Sequence, residues 1–359
     1  MNLLKKQFKE IGSSFYFVET CDELNILHKE TNRYAFSGRT ALLQIIDAIL
    51  KKIGAKKAWL PSYCCESMVT PFLLRNIDVE YYDVLLKNRK PEFDGSLIQD
   101  PDIIYTMNYF GLDLQRTLDF EKHLRKKFPD AVVIRDITHS ILLAQQCFDS
   151  CDYAFASIRK WSGFSDGGVI VKCKDDIEEA KERYNDSYEE LMAIAKAKKA
   201  EYLKTGTGDK GEFLDMFARA EELLDKDFEG YSISVRSKSE FRYFDYKKAA
   251  AKRRENFLIL MENSEIFQRK GIYPIFDKIG DKEVPLAFPV LLAGSEERNR
   301  FRRYFIENGV FCPVHWPKNE VHRLNDVTAE IYDRELSVVC DQRYDAADME
   351  RIVRLVYEY

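Results

Sequence analysis

A chain of 359 residues is too long for one ordinary domain and suits a large α/β domain with a smaller one beside it. Apolar residues make up 45% of it, with 24 Phe and 20 Tyr, and both charge signs are interspersed to a formal net charge of -5. That balance gives no concentrated basic field for nucleic acid, and the longest apolar runs, such as Ala131–Ile134, fall far short of a membrane span.

In chain order, residues 1–30 read as an N-terminal arm, and the opening MNLLKKQFKEIG lacks the features of a signal peptide, so a soluble cytoplasmic protein is expected. Thr40–Lys51 has helical apolar spacing and ends at Gly54. AWLPSYCC gives a short strand and loop, Ser67–Arg75 a second helix and Val79–Val84 a strand. Asp102–Tyr105, Ala131–Asp136, Asp152–Ile158 and Gly167–Lys172 read as strands, with a helix over Leu114–Phe128. Asp175–Glu229 is charged and helical, broken at Thr205–Gly211, and a long helix runs from Asp245 to about Glu262. Then come a strand at Val284–Ala293, a helix ending at Gly309, a strand and turn at FCPVHWP, and a closing helix over Asp345–Tyr359. Alternating strands and helices predict an α/β fold with a mostly parallel central sheet and functional groups at the strands' carboxyl ends. The division falls at residues 1–245 for the arm and large domain and 246–359 for a linker helix and small α+β domain. The eight Cys form no zinc pattern, so no metal is expected.

Four segments carry chemistry. Ser37-Gly38 stands before a helix, where unpaired N–H groups and the helix dipole suit a phosphate, or where Ser37 or Thr40 simply caps the helix. Asp136 ends an apolar strand with His139 three residues on; a carboxylate there suits a pyridinium nitrogen, or else a helix cap. Lys160 follows another apolar strand, beside Trp161 and ahead of Gly167-Gly168. Burial and a neighbouring cation would lower its pKa and free the amine for Schiff-base chemistry. Ser157 would turn a hydroxyl toward the phosphate. In FCPVHWP, His315 and Trp316 form either a pocket wall or a core anchor.

This order of SGRTAL, VIRDITH and ASIRKWSGFSDGG resembles the DegT/DnrJ/EryC1/StrS family of pyridoxal-phosphate (PLP) enzymes, of the aspartate-aminotransferase fold (fold type I). The resemblance runs from about Tyr34 to the C-terminus and includes WLPSYCCESMV and DRELSVVCDQRYDAADMERIV. It implies an aminotransferase acting on a nucleotide-linked keto-sugar with an amino-acid donor such as glutamate. It implies Lys160 as the Schiff-base and proton-shuttling lysine, Asp136 on the pyridinium nitrogen and His139 near the ring hydroxyl. Gly38, Arg39 and Ser157 would hold the phosphate, and Tyr63 or Cys65 would cover the ring; position favours Cys65 and chemistry Tyr63. A homodimer is implied. The family's G-Y-N-Y-R-like stretch is GYSISVR here, Gly230–Arg236, with Ser232 or Ser234 in place of its Asn. His315, Trp316 and Arg236 are the candidate substrate contacts. The competing readings are a PLP enzyme acting on a small non-sugar amine or keto metabolite, and a non-catalytic PLP-fold sensor or partner protein.

Overall fold

In the computed structural model, which describes residues 9–143, 147–177, 182–322 and 324–359, the alternating pattern builds a layered α/β molecule. The first eight residues of the predicted arm, and residues 178–181 of the predicted helical stretch, lie outside the described residues. The chain begins with β1 (Ile11–Gly12), β2 (Arg33–Ala35), α1 (Gly38–Ile53), β3 (Lys57–Pro61) and α2 (Glu66–Leu73). Ser37 caps α1 by accepting from the Thr40 N–H, and Gly54 ends it in the left-handed region at φ 61°. Next come β4 (Asp78–Lys87) and β5 (Lys90–Asp94), a hairpin that the sequence reading missed. Its turn residues Asn88 and Arg89 both have positive φ, and Arg in the second place hides the Asn-Gly signal that normally marks such a turn.

The core of the molecule continues through β6 (Ile103–Met107), α3 (Leu114–Lys127), β7 (Val132–Asp136), β8 (Tyr153–Ser157) and β9 (Gly168–Lys172). The eight-stranded sheet has the order β2-β9-β8-β7-β6-β3-β4-β5. Strands β4, β3, β6, β7 and β8 run parallel to their neighbours in that series, while β9 and β5 pair antiparallel. Every residue of β6 and β7 is buried, which is why both read as continuous rather than alternating apolar runs.

Helices α4 (Asp186–Thr205) and α5 (Lys210–Lys226) flank the predicted break, and α6 (Val235–Arg242) follows. Asp245 caps α7 (Tyr246–Glu262). The remainder comprises α8 (Ser264–Arg269), β10 (Tyr273–Pro274), β11 (Phe288–Leu291), α9 (Ser295–Glu307), β12 (Val310–Phe311), α10 (Asp326–Arg334), β13 (Glu335–Val338) and α11 (Ala346–Glu358). A second, antiparallel sheet has the order β10-β11-β13. The predicted strand over Val284–Ala293 shortens to β11 because its first residues are engaged elsewhere. Leu286 N–H donates to Phe110 O, and the Arg253 guanidinium takes the carbonyls of Pro285 and Leu286. In FCPVHWP only Phe311 is extended in a strand, where β12 pairs parallel with β1 in a separate two-stranded sheet and so ties the arm to the C-terminal part of the chain. No helix among the described residues is long and apolar enough to cross a membrane.

Candidate active site

The carboxyl ends of β6, β7 and β8, the loop after β3 and the N-terminus of α1 enclose a cavity of about 330 Å³. Ser37, Gly38, Arg39, Cys65, Asp136, His139, Ser157, Lys160 and Trp316 line it, so a chain segment of nearly 280 residues between Ser37 and Trp316 closes on one point. A parallel sheet delivers side chains this way because every strand ends on the same edge.

Asp136 is the last residue of β7 and is almost fully buried. The Tyr105 hydroxyl donates to its Oδ2 at 2.6 Å and the Thr138 N–H to its Oδ1 at 2.6 Å. Burial pushes the carboxyl upward, and these hydrogen bonds, with the charge of Lys160, pull against it. Thr138 does more than cap: its hydroxyl accepts from Ser157 N–H at 3.0 Å and its carbonyl from Trp161 Nε1 at 2.6 Å. One threonine thus ties the end of β7 to the end of β8 and to the turn carrying Lys160. Neither Tyr105 nor Thr138 was found from sequence. Their one legible signal was proximity to strand ends.

Lys160 ends a short turn, Ile158–Lys160, directly after β8. The expected burial is not observed: Lys160 is exposed at the cavity mouth. Its neighbours take the interior instead. Trp161 is 1% exposed, with the Arg253 guanidinium 4.6 Å from its ring centroid. The tight turn sends Trp161 inward and Lys160 toward the cavity. Burial falls on two other lysines, whose ammonium pKa values drop to about 8 at Lys196 and about 7 at Lys199 through desolvation. Both are held by backbone carbonyls, Gly163 O at 2.5 Å and Ser14 O at 2.5 Å, and serve packing.

At the other end of the cavity, α1 begins against β8 and β9. Thr40 N–H is taken by Ser37 Oγ and Ala41 N–H by Ser37 O. The N–H groups of Gly38 and Arg39 precede the first intrahelical bond. The packing leaves no room for larger residues: a Cβ on Gly38 would lie 3.0 Å from Ser157 Cβ, and one on Gly168 only 2.1 Å from Ser37 O. Gly168→Ala is therefore expected to push β9 from α1 and cost about 1–3 kcal/mol, measured by chemical denaturation, with weaker anion binding at this end. Ser37 spends its hydroxyl on the cap, so any phosphate contact from it comes from elsewhere on the residue. The Arg39 side chain turns away, pairing with Asp225 at 2.6 Å over Phe228.

Of the two candidates to cover a ring, Cys65 lines the cavity, its Sγ 2.9 Å from Ser67 Oγ. Tyr63 does not. It is fully buried behind the wall, packed against Trp316 at 4.6 Å and Tyr332 at 4.9 Å between ring centroids. The rings of Trp316, Tyr332 and Tyr109 pack around Tyr63 and hold it out of the cavity. Arg236 does not line this cavity in the single chain. It lies exposed on α6, bonded to Glu240 one turn on at 2.8 Å, and lines a different surface hollow. His315 lines an adjoining cavity of about 500 Å³, of which Lys160 is also a wall. Trp316 stacks on His139 at 5.3 Å and 18°, and its buried indole N–H has no hydrogen-bond partner among the described residues.

These residues fit PLP. A primary amine stands at the mouth and a buried carboxylate at the floor. Backbone N–H groups, in a cradle that a Cβ would fill, lie at the end suited to a phosphate. An orphaned indole donor sits in the wall. Among the described residues no group of three or more His, Cys, Asp or Glu is gathered for a metal ion.

The sequence matches no family model and no curated protein. The fold does match solved structures. The sugar aminotransferase CalS13 from Micromonospora echinospora superposes with a TM-score of 0.60 at 11% identity, over 91% of this chain and 87% of that one. NtdA from Bacillus subtilis, with bound cofactor PMP, gives 0.63 at 14% identity over 92% and 74%. The aminotransferase TlmJ from Streptoalloteichus hindustanus gives 0.62 at 13% over 92% and 85%. The chain thus has the fold type I architecture of these aminotransferases, a large mostly parallel sheet joined to a smaller α+β part.

Proposed function

We propose that this protein is a PLP-dependent aminotransferase that takes an amino group from an amino acid such as glutamate and delivers it to a keto group of a nucleotide-linked sugar. The observation that carries this reading is the convergence of Lys160, Asp136, Ser157 and the start of α1 on one cavity. When bound, PLP supplies an aldehyde that condenses with primary amines and a protonated ring that draws electrons from the bond being broken. Lys160 would hold that aldehyde and carry the proton between the substrate carbon and the cofactor. Asp136, fixed by Tyr105 and Thr138, would keep the ring nitrogen protonated. Gly38, Arg39 and Ser157 would hold the phosphate, Cys65 would cover one ring face and His139 would stand near the ring hydroxyl. The adjoining cavity beside His315 has room for the substrate. The sugar acceptor is supported by the likeness to a protein named a sugar aminotransferase. We take the chain to work as a homodimer of two-part subunits, residues 1–245 and 246–359, with the site between the parts.

The test is optical. Purified protein titrated with PLP is expected to develop the visible band of a lysine-bound cofactor, and glutamate is expected to bleach it. A band that glutamate leaves unchanged would exclude glutamate as donor. No band at saturating PLP would overturn the reading.

A further inference from the structure

The imidazoles of His139 and His315 meet between the large sheet and the small one, Nε2 to Nε2 at 2.8 Å with their planes 87° apart. The proton positions follow from the neighbours. The Phe110 N–H donates to His139 Nδ1 at 3.1 Å, so that nitrogen carries no proton. Neutral His139 therefore holds its proton on Nε2 and donates it to His315 Nε2. His315 is left with its own proton on Nδ1, which faces Ser337 Oγ at 3.4 Å. The Ser337 hydroxyl donates onward to Glu335 Oε1 at 2.6 Å, while Glu335 Oε2 accepts the His315 backbone N–H at 3.1 Å. Every donor in the chain points toward Glu335, and that direction requires the carboxyl to be an acceptor at both oxygens.

We propose that Glu335 is a positioning residue for the active site: through Ser337 and His315 it fixes His139 as the tautomer that presents an N–H from Nε2. The tautomer assignment does not rest on the PLP reading; only the placing of this ordered imidazole beside the cofactor's ring oxygen does, since its Nε2–H is already given to His315.

Protonating Glu335 reverses the chain. Oε2 is held by the His315 N–H, so the new proton goes on Oε1 and donates to Ser337. The Ser337 hydroxyl must then turn to His315 Nδ1, and His315 moves its proton to Nε2. Two N–H groups then face each other across 2.8 Å, and the bridge opens. Burial raises the Glu335 carboxyl to about 7, opposed by the Ser337 and His315 bonds, by Arg298 on α9 and by Tyr63. The imidazoles stay neutral beside it. Burial holds both well below the usual histidine value; the charge of Lys160 adds to this at both, and His315 adds to it at His139. The rings of Phe110 and Trp316 also pack against both imidazoles.

Nitrogen NMR of the histidine-labelled full chain, with no cofactor added, separates bare from protonated ring nitrogens. The expected result above pH 8 is His139 protonated on Nε2 and His315 on Nδ1, changing over as the pH falls through about 7. Glu335→Gln must keep accepting the His315 N–H at its oxygen, so its amide donates to Ser337. It is expected to lock the reversed pattern at every pH. Ser337→Ala is expected to uncouple the pair from pH, and Ser337→Thr, which keeps the hydroxyl, to restore the coupling. His139 protonated on Nδ1 in the wild type, or an unchanged pattern in Glu335→Gln, would overturn the proposal whether or not the protein binds PLP.

Discussion

Lys160→Ala is expected to lower amine exchange by at least about 10²-fold, and by as much as about 10⁴-fold, while leaving stability within about 0.5 kcal/mol of the wild type. The two halves of this expectation have one cause. Lys160 is exposed at the end of its turn, so its removal empties no core volume and breaks no buried pair. What it removes is the amine that faces both cavities. The first figure counts proton transfer alone, since a side chain that carries a proton in the transition state is worth that much. Loss of the covalent hold on the cofactor adds to it. The check is the glutamate-driven spectral change in wild type and variant, with thermal unfolding beside it. An unfolding midpoint that falls together with activity would make Lys160 a structural residue and remove it from the chemistry.

The positions of Asp136, Lys160 and the Ser37-Gly38 turn at strand and helix ends could be read from sequence because each is a local event. An apolar strand stops, and the next residues carry the wrong polarity for a core. The sheet's parallel order followed from the same alternation. The supports of these residues were illegible because they come from distant chain. Tyr105 reaches Asp136 from the neighbouring strand, and His315 meets His139 across 176 positions. Tyr63 and Arg236 lie away from the Asp136 cavity in the single chain for a related reason. Residue type suggested a role, but orientation decided it, and orientation depends on the aromatic neighbours of Tyr63 and on the α6 turn that gives Arg236 its Glu240 partner. The burial expected of Lys160 falls on Trp161 instead, because residue order fixes which residues flank a turn and not which of them points inward.

The largest loss of stability is expected from breaking the ion pair that Arg135, the residue before Asp136, makes with Glu121. Arg135 looks from sequence like an intruder in an apolar strand, and Glu121 like one more surface charge on the amphipathic α3. In the fold both are 0% exposed and form a bidentate pair. Glu121 also accepts from Thr106 Oγ1 at 2.6 Å and Ser150 Oγ at 2.6 Å, and Arg135 donates to the Cys147 carbonyl at 2.6 Å. Burial works against the guanidinium charge, but the bond to Glu121 and its charge more than restore it. Glu121→Ala would leave that cation buried and alone and is expected to cost about 3–5 kcal/mol in chemical denaturation. Replacing both partners with apolar residues, Glu121→Leu with Arg135→Met, is expected to recover part of the loss, since no bare charge is then left inside. The pair does not line the cavity, so the folded fraction of each variant is expected to bind PLP as the wild type does. A single variant within 1 kcal/mol of the wild type would mean that water reaches Arg135. A double variant less stable than the single would mean that the hydroxyls of Thr106 and Ser150 depend on the pair more than the pair depends on itself.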